Sequence, residues 1–453
     1  MLLRILIIIS CLSLIYPCFG NENNNESNSN SSRNDAYVSI LSSENFVIAA
    51  KIIAFQLHNF SPKIPFILFC TEDISNQTFS ELEIYGAKTK RISKIDTPFL
   101  ENHPQKKFQY TKTALWCHTE YTRVVYLDLD ILVLTDISEL FECGEFCASL
   151  RHSDMFNAGI FTFRPNNKTC KNMSEQKTSL KSYDGGDQGF LNSYYNDLKF
   201  SPMFNPLNLS SKEHHRSLRL SAIYNYDIGM YYLSGRMLIE PKIIHYTLVF
   251  LKPWIWWTYP IFDLNWKWLE IRGKMEKIHG REDDIISNIL IETIVMISLF
   301  GAYLITCLRA PQMTSECSTN VRNCEKRFIG FLMIGFSFLI SFALTPEQMW
   351  PTHAWALFTF NMATFLSFFL AFYSKHRLMT DLSFSSFLQA GLAVIGPILL
   401  AWNCLYFIEN LGRRYLCGIL FIAGFILGLN EIIKLILFSK NCRQFRYLSL
   451  RKQ

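Results

Sequence analysis

The sequence predicts an α/β domain with a mainly parallel sheet, followed by a C-terminal bundle of about five transmembrane helices. Three observations carry this. Up to about Met275, short β-branched runs alternate with stretches of helical apolar spacing, the rhythm of βαβ units. Beyond Asp284 the chain is dominated by long apolar runs separated by short polar loops. One apolar run in the first half, Val124-Val-Tyr-Leu-Asp128-Leu-Asp130-Ile-Leu-Val-Leu134, is interrupted by two carboxylates. Such groups belong at a strand end, where open α/β sheets bind ligands.

The chain starts Met1-Leu-Leu-Arg4, continues with an apolar run over 5–16, and closes with Pro17-Cys-Phe-Gly20. A basic start, a short apolar core and small residues predict a signal peptide over 1–20, because that core is shorter than the ~20 residues of a spanning helix. The Asn/Ser-rich tract 21–34 predicts a disordered stalk. Strands are expected at 37–41, 64–70, 124–134 and 159–163, with helices at 46–60 and 112–121, inside a lumenal domain over 35–270. Residues 271–284 read as a linker.

Asn25, Asn30, Asn59, Asn76, Asn167, Asn172 and Asn208 each open an Asn-x-Ser/Thr frame, and all precede the apolar half, as lumenal exposure requires. Cys70, Cys117, Cys143, Cys147 and Cys170 are an odd set, so at least one thiol is left over if the rest pair. Cys143 and Cys147 have no matching second ligand pair for zinc, so a disulfide or buried thiols are expected.

Spans are expected at 285–308, 328–344, 354–373, 387–408 and 415–438 within a bundle over 285–438, with a basic cytosolic tail at 439–453. Arg309, Arg322, Lys326 and Arg327, then Lys375 and Arg377, mark the cytosolic side, and the loop around Glu347 is lumenal. Arg413-Arg414 goes against this rule. Glu292 lies inside the first span, and Glu431 and Lys434 share a face of the fifth. Trp254, Trp256, Trp257, Trp266 and Trp268 read as an interfacial belt, with a core cluster or a sugar-stacking platform as the alternatives. The net charge of +6 is not gathered into a stripe, which excludes nucleic acid as an expected partner.

Alternation would put Asp128 and Asp130 on one side of an extended strand, where two hard oxygen ligands suit Mn²⁺ or Mg²⁺ and leave coordination positions for a diphosphate. Around them, the segment from Thr111-Lys112 to Trp116 and on through Tyr121 to Asp130 resembles glycosyltransferase family 8, the glycogenin-like group. Three more blocks match in order: Phe156-Asn157-Ala-Gly159-Ile-Phe161, Asp184-Gly-Gly-Asp187-Gln188-Gly189, and His245 through Lys252-Pro253-Trp254. The resemblance covers roughly 37–257.

The resemblance implies a GT-A type fold and retaining transfer from a UDP-sugar. Carried over by motif, Asp128, Asp130 and His245 would hold Mn²⁺. Lys252 would approach the leaving diphosphate, and Lys112 the donor sugar or phosphate. Ser42 and Phe46 resemble the uridine pocket. Asn157, Asp187 and Gln188 would face the sugar, with Asp187 positioning it or acting as nucleophile. Asp184 would either bind a hydroxyl or shape the turn before Gly185-Gly186. The whole layout resembles the plant branch that includes inositol phosphorylceramide glucuronosyltransferases. It implies a multi-pass Golgi or endoplasmic reticulum protein with a lumenal active site and a lipid or glycan acceptor. The alternatives are transfer to glycoprotein glycans, a transporter with a sugar-binding ectodomain, and an inactive sugar-binding membrane protein.

Overall fold

The computed structural model describes residues 33–151, 153–207, 217–280, 323–376, 405, 408 and 411–438. The expected signal peptide, almost all of the stalk, Asn25, Asn30, Asn208, the linker beyond residue 280, the span 285–308 with Glu292, nearly all of 387–408 and the tail lie outside them, as do the side chains of Glu431 and Lys434.

A seven-stranded sheet forms the centre of the folded domain. Its strands are β1 (Asp35–Leu41), β2 (Phe66–Cys70), β3 (Ala87–Arg91), β4 (Arg123–Leu127), β6 (Phe146–Leu150), β7 (Phe156–Phe163) and β8 (Leu218–Leu220). Their order is β3-β2-β1-β4-β7-β6-β8. The β3, β2, β1 and β4 strands run parallel, β7 is antiparallel to both neighbours, and β8 pairs parallel with β6. The result is the expected α/β domain with a mainly parallel sheet. The inner strands read as continuous apolar runs, such as Phe66–Cys70, because helices cover both faces.

A second sheet, in the order β5-β10-β9, contains β5 (Ile131–Val133), β9 (Tyr226–Asp227) and β10 (Ile243–His245). It corrects the expectation of one strand over 124–134. The chain leaves the large sheet at Leu127, turns through Asp128, Leu129 and Asp130, and enters the small sheet at Ile131. Two carboxylates would be costly in the middle of a buried strand, and the turn places them at a strand end.

Helix α1 (Val47–Phe60) packs its apolar residues, Ile48 to Ile53 among them, against the sheet. Helix α2 (Asn76–Ile84) starts at Ser75, whose hydroxyl accepts from the Thr78 N–H. The helix expected at 112–121 is a 3-10 segment over Gln109–Cys117, with Trp116 buried against Phe161 and Phe163. Helices α3 (Asn167–Gln176), α4 (Asp187–Tyr194), α5 (Ile228–Ser234) and α6 (Leu264–His279) complete the domain.

Cys117 pairs with Cys170 and Cys143 with Cys147, leaving Cys70 buried as a thiol. Asn59, Asn76 and Asn167 are exposed, whereas Asn172 accepts from Tyr194 Oη at 2.6 Å.

Among the described residues, three further helices follow: α7 (Asn323–Leu344), α8 (Pro351–His376) and α9 (Leu411–Phe438). Among the described residues, Gly412–Asn430 is long and apolar enough to cross a membrane, and Phe328–Leu344 is a shorter apolar stretch. The tryptophans expected as a belt are instead largely buried. Trp254 and Trp268 lie in the domain core, and Trp256 packs among α7, α8 and α9 residues such as Met333, Phe358 and Leu429. Each indole finds more apolar contact inside the protein than an interface would give it. Arg414, anomalous as a topology signal, is a structural residue. It is 5% exposed, and its Nη1 donates to Ile261 O at 2.8 Å and lies 3.8 Å from Asp263.

Candidate active site

The carboxyl ends of the adjacent strands β1 and β4, the first residues of β7 and α4, and the end of β10 bring their side chains together. The turn after β4 supplies Asp128 and Asp130, and the end of β10 supplies His245, which pairs in register with Ile131. One ligand atom from each of the three lies within 4.8 Å of the others. Gly159 permits this convergence. A Cβ there would sit 2.2 Å from His245 Cε1 and 2.9 Å from Asp128 Oδ2.

A chain of side-chain amides fixes the imidazole. The Gly159 N–H donates to Asn157 Oδ1 at 3.0 Å, which directs the Asn157 amide nitrogen to Gln188 Oε1 at 3.0 Å. Gln188 Oε1 also accepts from the Ala158 N–H. Asn225 Nδ2 donates to the same Asn157 oxygen, so Asn225 Oδ1 is left to face His245 Nδ1 at 2.8 Å. His245 Nδ1 therefore carries a proton and donates it. Its Nε2 points at Asp130 Oδ1, 3.2 Å away, a contact that needs a proton or a cation between the two atoms. Two carboxylates and one oriented imidazole nitrogen fit a divalent cation of the Mn²⁺ type.

Three lysines balance the acids. Lys252 Nζ lies 2.7 Å from Asp130 Oδ2 and donates to Tyr246 O at 2.6 Å. Lys112 Nζ bridges Asp128 Oδ1 at 3.2 Å and Asp187 Oδ2 at 2.5 Å, and donates to Ala158 O. Lys106 Nζ lies 2.7 Å from Asp184 Oδ2. The Asp128 and Asp130 carboxyls consequently differ. Burial pushes the Asp128 carboxyl up, against the pull of Lys112. Burial acts on Asp130 too, but His245 and Lys252 outweigh it and hold that carboxyl well below the usual range. Lys112 is pushed down by burial, yet Asp128 and Asp187 more than compensate, and it stays charged.

Asp187 opens α4 and is 5% exposed. Asp184 holds its own loop: Oδ1 accepts from Ser182 Oγ, the Gly186 N–H and the Gly189 N–H. Gly185 takes a left-handed φ of +70° in that loop, and a Cβ there would meet the His103 ring. Ser42 is exposed just past β1, and Phe46 packs edge-on against Trp254, ring centroids 5.2 Å apart.

Two participants were not visible in the sequence. Asn225 lies in Ile223-Tyr-Asn225-Tyr-Asp227, where no spacing or charge pattern marks it. Tyr126 donates from its Oη to Asp128 Oδ1 at 2.8 Å, but in the sequence it reads as one more apolar strand residue.

Comparison with known proteins adds to this geometry. Residues 37–145 match the family model for glycosyl transferase family 8. The chain is 34% identical over 250 residues to inositol phosphorylceramide glucuronosyltransferase 1 of Arabidopsis thaliana, covering 53% of this chain and 46% of the relative. It is 34% identical over 164 residues to UDP-glucuronate:xylan alpha-glucuronosyltransferase 2 of the same plant, covering 36% of this chain and 28% of the relative. The matched segments thus span less than half of either relative. The glycosyltransferase GlyE of Streptococcus pneumoniae superposes with a TM-score of 0.40 at 19% identity, covering 53% of this chain and 61% of that one.

Proposed function

We propose that this chain, which matches the glycosyl transferase family 8 model over residues 37–145, acts as a member of that family and moves a hexuronic acid or hexose, with retention, from a UDP-sugar to a lumenal acceptor at a membrane, as a metal-dependent enzyme. The observation that carries the reading is the convergence of Asp128, Asp130 and His245 beneath two lysines at the carboxyl ends of the strands. Glucuronate is favoured as the sugar because both relatives described above are named for its transfer.

In this reading Asp128, Asp130 and His245 Nε2 hold the cation, Mn²⁺ or Mg²⁺. When bound, the cation supplies positive charge to the diphosphate of the donor. Lys252, already against Asp130, places a second charge where the leaving UDP becomes more negative, so it favours the transition state over the ground state. Ser42 and Phe46 line the uridine end of the pocket. Asn157 and Gln188 present amides to the sugar hydroxyls. Asp187, held beside Lys112, sets the sugar's reacting face or attacks it. Lys112 contacts donor sugar or phosphate, and Asp184 shapes the loop that delivers Asp187.

The membrane setting rests on the C-terminal half. Arg414 at the start of α9 and the loop between α7 and α8 both bond to the folded domain, so they lie on its side of any bilayer. With the spans expected from 285–308 and 387–408, this supports a five-span protein whose domain over 35–270 is lumenal, in the Golgi or endoplasmic reticulum. The two disulfides and the exposed sequon asparagines fit an oxidising, glycosylating compartment. A lipid-linked acceptor suits a site joined to membrane helices and accords with the printed name of the first relative.

The test is a donor panel on purified full-length protein in detergent with Mn²⁺ and lipid or soluble acceptors. UDP release and transfer from UDP-glucuronate are expected. No release of UDP from any UDP-sugar would contradict the reading.

A further inference from the structure

The loop between α7 and α8, residues 345–350, does more than connect two helices. Gln348 Nε2 donates to Asn45 O at 2.7 Å, across 303 positions of sequence. Its own carbonyl accepts from Arg272 Nη1 at 2.8 Å, and the Arg272 guanidinium lies over the Trp350 ring. The Trp256 N–H donates to Glu347 O at 3.2 Å. One short loop from the C-terminal half therefore touches both segments that, in the reading above, face the nucleotide of the donor. One is the Ser42–Phe46 turn, and the other is the Lys252–Trp256 stretch.

The turn is also tied down on its far side. Glu44 Oε1 accepts from the Ser75 N–H at 2.9 Å and from Thr78 Oγ1 at 3.1 Å, which ties the turn to the start of α2. Asn45 itself is exposed. Phe46 meets Trp254 edge-on, ring centroids 5.2 Å apart. The Gln348 bond adds a third tie, at the Asn45 carbonyl, which no other side chain is seen to hold among the described residues.

We propose that this loop is part of the donor-binding apparatus, with Gln348 as a positioning residue that holds the Ser42–Phe46 turn against Trp254, so that the membrane bundle sets affinity for the nucleotide of the donor. The proposal rests on the reading above in which Ser42 and Phe46 line the uridine end.

The experiment measures UDP binding and donor and acceptor kinetics on the full chain in detergent, comparing wild type with Gln348→Leu, Gln348→Glu, Gln348→Lys and Trp355→Phe. Leu and Glu remove the donated bond, and Glu adds repulsion toward the Asn45 carbonyl. Both should raise the UDP Kd and the donor KM by about 3- to 10-fold, the scale of one hydrogen bond, with kcat and acceptor KM unchanged. Lys retains a donor on a long arm and should restore wild-type affinity. Trp355 donates to Tyr259 O at 3.0 Å and packs edge-on on Trp256, while the bond to the turn comes from Gln348, so Trp355→Phe, which removes the Tyr259 bond and keeps an aromatic ring, should leave donor affinity unchanged. If Gln348→Leu were too unstable to purify, the Glu and Lys pair would carry the comparison. Wild-type UDP affinity in the Leu and Glu variants would overturn the proposal alone. A wild-type protein with no affinity for UDP would overturn it together with the donor reading.

Discussion

His245 and Asn225 share a 2.8 Å hydrogen bond between Nδ1 and Oδ1, and both side chains are buried. Because the amide chain from Gly159 through Asn157 fixes which way Asn225 points, it also fixes which imidazole nitrogen is left for a metal. Asn225→Leu should therefore weaken Mn²⁺ binding by about 10- to 100-fold, the usual cost of losing such an outer partner. Asn225→Asp keeps an acceptor facing Nδ1 and should bind Mn²⁺ more tightly than the Leu variant. Electron paramagnetic resonance of free Mn²⁺ during titration reads both directly.

Gly159 should tolerate no side chain. A Cβ 2.2 Å from His245 Cε1 forces the imidazole out of line. Gly159→Ala should cost about 1–3 kcal/mol of stability through overpacking and should lose most Mn²⁺ affinity. Equal Mn²⁺ titrations for variant and wild type would contradict the tight approach of β7 to His245.

Lys112 compensates the buried Asp187 and the half-buried Asp128 at once. Lys112→Met should destabilise the fold by about 2–4 kcal/mol, chiefly through the unpaired charge left on Asp187, with the Asp128 share reduced by solvent. Mn²⁺ should then raise the melting temperature of the variant more than that of wild type, since a cation at Asp128 takes over part of the lost charge. Thermal melts with and without Mn²⁺ provide the comparison.

The two disulfides should differ in weight. Cys117–Cys170 closes a separation of 53 residues and Cys143–Cys147 one of 4. Loop-closure entropy puts the first at about 4 kcal/mol and the second at about 2 kcal/mol. Paired Cys→Ala substitutions followed by denaturant unfolding should show the Cys117–Cys170 pair as the more costly loss.

Much of this was legible in the sequence where local pattern and chemistry coincide. The apolar runs of β1, β2 and β4 read as strands, and Asp128 and Asp130 stood out because carboxylates do not interrupt a buried strand without a purpose. The local path through them did not show. An extended strand and a turn between two sheets both bring the acids together, and only the pairing of β5 with β10 decides between them. The tryptophans are ambiguous in the sequence for a similar reason. Aromatics beside apolar helices suit an interface or a core equally well, and the choice depends on whether α7 and α8 pack over Trp256. Asn225 and Gln348 were beyond reach. Each acts through one contact made distant in sequence, with no composition or spacing to announce it.

Release of UDP from a donor sugar should depend on Asp128, Asp130 and His245 acting together as one metal site. The most direct test is UDP release by the full-length protein from UDP-glucuronate, with and without chelator, in wild type and in the Asp128→Ala/Asp130→Ala double variant. Turnover should need Mn²⁺ or Mg²⁺, stop with chelator, and be absent from a folded double variant. Turnover that persists in that variant at the wild-type rate would contradict that dependence.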